Sequence, residues 1–287
     1  MIVNVGFIGP GKVGCSLGRH ITEKGGDGIK VSGYYGRDKA SAEKAAALSG
    51  GRAYGSPEEL AAACNLLLLT VPDKQIADVW VSFSGKLAER DKLLFVGHCS
   101  GSQSSEVFRP HPGCHFGSVH PILAVHDKES SYKNLDAAYF TVEGDEAFKD
   151  LASGLLTALG NPYCAIDADQ KTKYHAASVM VSNLVCALAY EGMETFKACG
   201  LDEDFAESAW RSLFLGNAEN TASVGPVRAL TGPVERGDAA TVARHLHTLS
   251  GDAREIYLLL SRKVTETAQH KNPDRDYSEM IKLLENS

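Results

Sequence analysis

The 287-residue sequence has no Cys-x-x-Cys pair and no excess of positive charge. Its seven cysteines are odd in number and scattered, a pattern typical of reduced thiols in a cytosol and not of a disulfide framework. Lysine and arginine number 29 against 36 aspartates and glutamates, which gives a net charge of -7. Proteins that bind nucleic acids or membrane surfaces present a basic face, so we expect neither partner here.

Long apolar runs and targeting segments are also lacking. The longest apolar run, around Leu66 to Val71, is far too short to span a bilayer. The first residues, MIVNVGFIG, lack the basic segment of a signal peptide, and we therefore expect a cytoplasmic protein. The chain contains 44% hydrophobic and 23% charged residues, ordinary values for a globular protein, and its length favours two domains.

The first part of the chain alternates short apolar runs with helical patterns. Strands are predicted at Val3–Ile8, Ile29–Tyr35, Leu66–Val71, Leu93–Val96 and Tyr139–Val142. Helices are predicted at Gly14–Lys24, Lys39–Leu48, Pro57–Ala63 and Glu146–Leu159. This order predicts an α/β domain over residues 1–168, with a doubly wound parallel sheet of the Rossmann type covered on both faces. Residues 169–287 are helical throughout and predict an all-α second domain.

A glycine-rich motif follows the first strand directly and opens the first helix. Residues 9–14 read Gly-Pro-Gly-Lys-Val-Gly, which is the pattern GxGxxG. Gly9 would permit the tight turn, Gly11 would let a pyrophosphate approach the backbone, and Gly14 would let helix and strand pack closely. Phosphates would then lie at the helix N-terminus, where free N–H groups favour anions. A glycine turn without a ligand is the alternative, but the order of strand, motif and helix favours dinucleotide binding by Gly9, Pro10, Gly11, Lys12, Val13 and Gly14.

The end of the second strand indicates which dinucleotide is bound. An NAD site usually has an acidic residue there for the ribose hydroxyls, whereas this chain has Arg37 followed by Asp38 and Lys39. A guanidinium suits a 2′-phosphate, and Asp38 is placed to cap the helix that begins at Lys39. We therefore predict NADP(H) as the cofactor. A solvated Arg37, with NAD or a deazaflavin (F420) as the cofactor, is the alternative.

Two later strand ends are expected to border the same crevice, because ligands of open α/β sheets lie beyond the carboxyl ends of the strands. Val71 and Pro72 end one strand and are predicted to contact the cofactor. Ser100 and Gly101 follow the next strand and are candidate substrate contacts, although Pro72 and Gly101 would also suit ordinary turns.

Five of the ten histidines lie between His98 and His126, together with two cysteines. Such density suggests zinc, but the spacings His111-x-x-Cys114-His115 and His120 to His126 match no standard zinc pattern. We therefore predict no metal and expect partly exposed imidazoles, with His120 best placed to face a ligand.

A polar stripe lies on the apolar helix that is predicted from Asp167 to about Gly200. Lys171, His175, Ser178 and Ser182 fall at i, i+4, i+7 and i+11, so they share one face. Separately, each would suit a structural role, such as a satisfied core histidine or a serine bonded to its own helix. Together they suggest an active-site face in which His175 or Lys171 donates a proton, with Asn183 beside the stripe.

Several stretches together resemble one family. They are Gly6–Gly14, Val71–Asp73, His98–Gly101, Val119–Pro121, Tyr174–Ser178 with Ser182–Asn183, and Leu230–Asp238, and they run in order over nearly the whole chain. The family joins an N-terminal Rossmann-like domain to a domain of unknown function (number 2520). It is similar in plan to pyrroline-5-carboxylate reductase, β-hydroxyacid dehydrogenases and ketopantoate reductase.

The resemblance implies a helical second domain like that of 6-phosphogluconate dehydrogenase, a homodimer formed through it, and NADP-dependent chemistry. Relatives of this plan often use a lysine and an asparagine on the corresponding helix. In this chain the predicted catalytic residues are Lys171, His175, Ser100 and Asn183, with the division of roles between Lys171 and His175 left open. The substrate and the direction of the reaction stay unassigned.

The predicted substrate is a small, carboxylated metabolite with a carbonyl or imine group. Substrate contacts are predicted at Ser100, Gly101, His120, Ser178 and Arg236. Arg236 would hold a carboxylate through two parallel hydrogen bonds, although its segment, 231–238, would also suit a connector whose Asp238 caps the next helix. A noncatalytic NADP-binding sensor, with a helical domain that associates with partners, is the alternative from another functional class.

Overall fold

The computed structural model describes residues 2–87 and 93–287, which form two compact units. The first unit ends at Ser182 and the second begins at Asn183. The sequence predicted a boundary after residue 168. The difference arises because helix α6 (Lys171–Met180) follows the last strand and its first residue is buried in the first unit.

The first unit contains one sheet, for which the described residues provide eight strands. They are β1 (Val3–Ile8), β2 (Ile29–Tyr35), β3 (Arg52–Ala53), β4 (Leu66–Leu69), β5 (Leu94–His98), β6 (Cys114–Ile122), β7 (Tyr139–Gly144) and β8 (Tyr163–Ala165). Their order in the sheet is β3-β2-β1-β4-β5-β6-β7-β8. All neighbouring pairs are parallel except β6 and β7, which are antiparallel. The predicted doubly wound sheet is therefore confirmed, with β3, β6 and β8 as strands that the sequence did not indicate.

Five α-helices lie between these strands in the described residues, and α6 follows the last one. The five are α1 (Lys12–Lys24), α2 (Lys39–Ser49), α3 (Pro57–Ala62), α4 (Ile76–Ser84) and α5 (Glu146–Leu159). The four predicted helices correspond to α1, α2, α3 and α5, with end shifts of no more than two residues. Asp38 caps α2 by accepting hydrogen bonds from the amides of Ala40 and Ser41, as its sequence position indicated.

The core of this unit lies on both faces of the sheet. Alternate residues of β4 divide between the faces: Leu66 and Leu68 pack in one buried cluster with α1 and α5, whereas Leu67 and Leu69 pack in the other with α4. A strand buried on both faces reads as a continuous apolar run, which explains the sequence LLLL.

The parallel strands bring their carboxyl ends to one edge. Ile8 of β1 pairs with Leu69 of β4, Leu69 pairs with His98 of β5, and His98 pairs with Ser118 of β6. The loops that follow β1, β4 and β5 therefore begin level with one another, and the predicted functional loops share this edge.

The second unit consists of helices. They are α7 (Asn183–Ala198), α8 (Glu203–Val224), α9 (Pro226–Ala229), α10 (Pro233–Arg236), α11 (Ala239–Thr248), α12 (Gly251–Lys271) and α13 (Ser278–Glu285). Their buried core contains Val234, Val242, Leu246, Ala268, Tyr277, Met280 and Leu284. The core thus comes from α10 to α13, while α7 has no buried residue and α8 has only Ala206.

The helix that was predicted from Asp167 to about Gly200 is divided in the structure. A short 3₁₀ turn at Ala168–Gln170 leads into α6, and a turn at Val181–Ser182 separates α6 from α7. Asp167 makes no capping bond with its side chain.

One described segment, Ala168–Ala198, is long and apolar enough to cross a membrane by length and composition, with a mean hydropathy of 1.3 in its most apolar window. None of that window is buried in the chain. Helices that pack their apolar face against other helices can be equally long and apolar. Because this window is not buried in the single chain, the segment presents an uncovered apolar surface.

Candidate cofactor cradle and active site

Two glycines of the GxGxxG loop allow the loop to lie directly on the end of β4. Gly9 has a φ of +104°, and a Cβ there would lie 2.9 Å from the backbone carbonyl of Thr70. A Cβ on Gly14 would lie 2.6 Å from the Thr70 hydroxyl, which donates a hydrogen bond to the Gly9 carbonyl at 2.7 Å. Substitution of either glycine would therefore separate the loop from the strand.

The third glycine, Gly11, faces open space. The nearest atom to a Cβ on Gly11 would be the Thr70 carbonyl oxygen, at 3.8 Å. Gly11 is also the N-cap of α1, and among the described residues no side chain caps these amides and no acidic residue lies in the first turn. A helix start of this kind favours an anion, and the arrangement fits the diphosphate of a dinucleotide.

A cavity of about 540 Å³ lies beside this loop, within the size range of small-molecule sites. Among the predicted cofactor-binding residues, the cavity is lined by Gly9, Pro10, Gly11, Arg37, Val71 and Pro72. Lys12, Val13 and Gly14 form the first turn of α1 next to it.

Arg37 follows the carboxyl end of β2, and its side chain is exposed at the cavity. The neighbouring carboxylate of Asp38 is occupied by α2: it accepts from two backbone amides at 3.2 Å and from the Ser41 hydroxyl at 2.6 Å. These bonds lower the pKa of Asp38, the serine hydroxyl most of all. At this edge the guanidinium, and not the carboxylate, is therefore available to a ligand.

The Ser100 hydroxyl is fully engaged by the chain itself. It donates to Asp73 Oδ2 at 2.5 Å and accepts from the backbone amides of Ser102 and Gln103 at 3.2 and 3.0 Å. Since Asp73 follows β4 and Ser100 follows β5, this bond connects two loops at the carboxyl edge.

The His98 side chain holds the loop of residues 100–104 through two hydrogen bonds. Its Nδ1 accepts from the Ser100 amide at 3.1 Å, so its Nε2 carries the proton and donates to the Ser104 carbonyl at 3.2 Å. Both ring nitrogens are used, and the side chain is completely buried. Burial lowers the pKa of His98 to about 4, so the imidazole is neutral at physiological pH.

Lys171 is the first residue of α6 and is also completely buried. Its ammonium donates to the Ser100 carbonyl at 3.1 Å and to Ser118 Oγ at 2.7 Å. Ser118 in turn donates to Glu143 at 3.0 Å, so a serine hydroxyl bridges a buried cation and a buried carboxylate. Burial lowers the pKa of Lys171, while the negative charge of Glu143 acts in the opposite direction.

Three aromatic side chains meet above the Ser100–Gly101 loop. His120 Nδ1 is hydrogen-bonded to the Tyr174 hydroxyl at 2.7 Å, and the rings of His120 and His175 are 6.1 Å apart. A Cβ on Gly101 would lie 2.5 Å from His175 Cδ2 and 2.8 Å from His120 Nε2. Burial and the Lys171 charge lower the pKa of His120 to about 4, and burial raises that of Tyr174.

The polar stripe therefore divides into two parts. Lys171 and His175 both approach the 100–101 loop, as their shared helix face predicted. Ser178 and Ser182 instead donate to the carbonyls four residues before them, those of Tyr174 and Ser178, at 3.2 and 2.6 Å.

Two predicted site residues, Asn183 and Arg236, belong to the second unit. Asn183 is the first residue of α7, and Arg236 is the exposed last residue of α10. Glu235 beside it is bonded to Asn272 at 2.8 Å and to Arg275 at 3.3 Å, and Asp238 caps α11 through the Thr241 amide. The segment 231–238 is thus anchored as a connector.

The histidine-rich segment does not assemble a metal site. Within residues 2–87 and 93–287, no three histidine, cysteine, aspartate or glutamate side chains have an arrangement that would hold a metal ion. The segment is spread along β6 and its flanks: His98 lies inside the sheet, His115 pairs with Asp145 at 3.1 Å, and His120 contacts Tyr174.

Sequence reasoning did not assign roles to Asp73, Ser118, Glu143 and Tyr174. Glu143 offered a usable signal, because an acidic residue in the middle of the apolar strand YFTVEG must be neutralised by a partner. Tyr174 precedes His175 directly, and the helical stripe drew attention only to every third or fourth residue.

The chain matches a Rossmann-like domain over residues 2–126 and the family described as "Domain of unknown function (DUF2520)" over residues 138–264. No curated protein matches it. Among solved structures, a Thermotoga maritima protein is 27% identical, with a TM-score of 0.72 over 93% of this chain and 99% of that chain.

Two further solved structures share the fold. A Bacteroides fragilis protein described as a candidate NADP oxidoreductase is 21% identical, with a TM-score of 0.70 over 92% of this chain and 98% of its own. A pyrroline carboxylate reductase from Plasmodium falciparum, solved with NADP bound, is 15% identical, with a TM-score of 0.54 over 99% of this chain and 96% of its own.

The burial of His98 predicts a loss of stability in acid. An unfolded histidine takes up a proton near pH 6.5, whereas folded His98 does so only near pH 4. Between these values the unfolded state binds more protons, so the free energy of unfolding decreases as the pH falls, by about 3 kcal/mol in total for this residue. Above pH 6.5 the contribution is complete.

The measurement is urea denaturation between pH 7 and pH 4 for the unmodified protein and for His98→Asn. Asparagine keeps an acceptor near the Ser100 amide but does not titrate, so its curve should fall less steeply with acid. If the free energy of unfolding falls equally steeply with pH in the two proteins, His98 is not a buried neutral histidine that titrates on unfolding.

Proposed function

We propose that this chain, which matches a Rossmann-like domain and the DUF2520 domain, is an NADP(H)-dependent oxidoreductase. The proposed reaction transfers a hydride to or from the carbonyl or imine carbon of a small, carboxylated metabolite. The observation that carries the proposal is the open glycine cradle on the same sheet edge as a cluster of proton-bearing side chains. Reductases and an NADP oxidoreductase candidate of similar fold support it.

The preference for NADP(H) over NAD(H) rests on Arg37. Its guanidinium is exposed at the cavity, and Asp38, the nearest acid, is committed to the α2 cap. Planar, permanently charged donors suit a 2′-phosphate, which NAD lacks. The bound cofactor would supply or accept the hydride, and the residues of the chain would hold the cofactor in place.

For the proton we propose His175. Imidazole is the side chain that most often donates and accepts protons in enzymes, and His175 is half-buried beside the Gly101 backbone. When a hydride adds to the carbonyl or imine carbon, the oxygen or nitrogen gains an electron pair, and this pair would take the proton from the His175 ring. In the reverse direction the same ring would accept it.

Lys171 and Ser100 have a different proposed role, namely to position the substrate loop. The Lys171 ammonium has no exposed surface and is bonded to Ser100 O and Ser118, and the Ser100 hydroxyl is held by Asp73. A buried cation next to the site also favours negative charge that develops on a substrate oxygen. Gly101 and His120 would then present the surface that the substrate meets.

The remaining predictions for the second unit are kept as proposals. Arg236 is the candidate for a substrate carboxylate, because a guanidinium binds carboxylates through two parallel bonds. Asn183 is retained from the sequence as a catalytic candidate and Ser178 as a substrate contact. A cytoplasmic location, proposed from the scattered cysteines, likewise stays a prediction.

We also propose a homodimer formed through the helical unit. Apolar side chains of α7 and α8 are exposed in the single chain, among them Leu188, Phe205, Leu213 and Leu215. Large apolar side chains exposed on neighbouring helices are a feature of protein interfaces. A second copy of the same chain is the simplest partner, since most soluble oligomers are symmetric homo-oligomers.

The cofactor assignment predicts the effect of changing Arg37. Replacement by alanine should weaken NADPH binding at least about tenfold, since a charge-assisted contact to the 2′-phosphate is lost. NADH binding should not change. Fluorescence titration with each nucleotide measures the two affinities. Lys39→Ala is the matched control, because Lys39 pairs with Glu43 and does not line the cavity. Equal weakening of both nucleotides by Arg37→Ala would show that Arg37 does not select the 2′-phosphate.

The catalytic assignment predicts different defects for His175 and Lys171. A substrate is first identified by tritide transfer from labelled NADPH to a panel of keto acids and cyclic imines. With that substrate, His175→Ala should lower kcat by about 10²-fold or more and leave the NADPH Kd unchanged, because only the proton transfer is lost. Lys171→Met should lower kcat and also the thermal stability, while Lys173→Ala, an exposed lysine on the same helix, should do neither.

Unchanged turnover in His175→Ala would rule out His175 as the proton donor. Tyr174→Phe would then test Tyr174 in that role. If no panel member accepts tritium but NADPH changes the oligomeric state, the noncatalytic sensor is the better description.

The dimer proposal predicts a molecular mass twice the 30.7 kDa of one chain. Leu213→Glu introduces a charge into the exposed apolar face of α8 and should give a monomer in sedimentation equilibrium. Ile122→Glu, at an exposed apolar position of the first unit, should leave the mass unchanged. A monomeric unmodified protein at micromolar concentration would contradict the proposal.

A further inference from the structure

The segment between β6 and β7 forms a rigid turn next to the glycine loop. The Asp127 carboxylate accepts from the amides of Glu129 and Ser130 at 2.7 and 2.6 Å. The Ser131 hydroxyl accepts from the amides of His126 and Asp127, both at 3.0 Å. These bonds hold the backbone on either side of Lys128, so the turn sets the position from which its side chain extends.

The following residues attach this turn to α1. The Arg19 guanidinium lies 3.8 Å from the centre of the Tyr132 ring and donates to the Glu129 carbonyl at 3.1 Å. Tyr132 and Leu135 are buried in the core cluster that includes α1, and Asp136 lies 3.4 Å from His20. The segment therefore has a fixed position relative to the helix whose N-terminus forms the cradle.

From this position the Lys128 ammonium reaches the glycine loop. Its Nζ donates to the carbonyl of Pro10 at 2.9 Å, and Pro10 lies between the first two glycines of the motif. The side chain is half-buried. Within residues 2–87 and 93–287, Lys128 takes part in no salt bridge, so its contact there is with a neutral acceptor.

We propose that Lys128 binds the diphosphate of the dinucleotide, an inference that rests on the proposed function and adds a residue to its cofactor site. An ammonium has three N–H donors, so the bond to Pro10 leaves others for a phosphate oxygen. Lys128 does not itself line the cavity, but Pro10 and Gly11 do, so a diphosphate over Gly11 would lie at the loop that the ammonium already contacts. A partly buried ammonium attracts an anion more strongly than an exposed one. Nothing in the sequence pattern indicates this residue, because it lies 118 positions from Pro10.

NAD and NADP share the diphosphate, so the proposal predicts that loss of Lys128 weakens the binding of both. Lys128→Ala should weaken NADPH and NADH by a similar factor, about tenfold, because one charge-assisted contact is lost from both. Arg37→Ala should weaken NADPH alone. Adenosine 2′-monophosphate, which has no diphosphate, should bind the Lys128→Ala variant as it binds the unmodified protein.

The experiment is fluorescence titration or calorimetry of the full chain with the three nucleotides, with the melting temperature recorded for every variant. Lys128→Arg should recover most of the dinucleotide affinity. Lys133→Ala is the matched control, an exposed lysine of the same segment, and should bind like the unmodified protein.

Three results would overturn the inference. If Lys128→Ala lowers the melting temperature and binds both dinucleotides with unchanged affinity, Lys128 is a structural tether and the proposed function stands. If the variant weakens NADPH only, Lys128 contacts the 2′-phosphate and not the diphosphate. If the unmodified protein binds neither dinucleotide, the proposed function and this inference are both wrong.

Discussion

The candidate active site depends on one buried lysine. The Lys171 ammonium holds the Ser100 carbonyl on one side and, through Ser118, faces the Glu143 carboxylate on the other. Glu143 also accepts from the backbone and side chain of Ser105. A buried charge without such partners would be costly, so removal of any member leaves the others unsatisfied. The network thereby fixes residues 100–105 against β6, β7 and the start of α6.

A second consequence of this charge concerns the imidazoles. Lys171 contributes to the low pKa values of His98 and His120, since a nearby cation opposes their protonation. The site thus places a buried lysine beside two imidazoles, His98 and His120, whose pKa values are low. His98 can then accept from an amide and donate to a carbonyl at once, which a protonated ring could not do.

The sequence allowed five strands of the sheet, four of its helices and the glycine loop to be predicted, because periodicity and the order of strand, glycine motif and helix are local signals. The break between α6 and α7 carries no such signal: Val181 and Ser182 are not helix-breaking residues, and the helical pattern of the sequence runs through them. The apolar residues of α7 are uncovered in the single chain, and hydropathy does not tell which chain covers such a surface.

Within the site, residues on one helix face were found from their spacing, whereas partners distant in the chain were not. Lys171 and His175, which share one helix face, both approach the 100–101 loop. Their proposed roles differ because Lys171 is completely buried and His175 is half-buried, a difference that the stripe does not reveal. The Asp73–Ser100 bond and the Lys128–Pro10 contact join residues 27 and 118 positions apart, beyond the reach of any local pattern.

Gly101 limits how this site can vary. A single hydrogen atom, where other residues carry a carbon, separates the peptide backbone from two imidazole rings. Changes in substrate preference would therefore have to come from the side chains around Gly101, such as Ser102, and alanine at position 101 would force the rings of His120 and His175 apart before it altered any contact with a ligand.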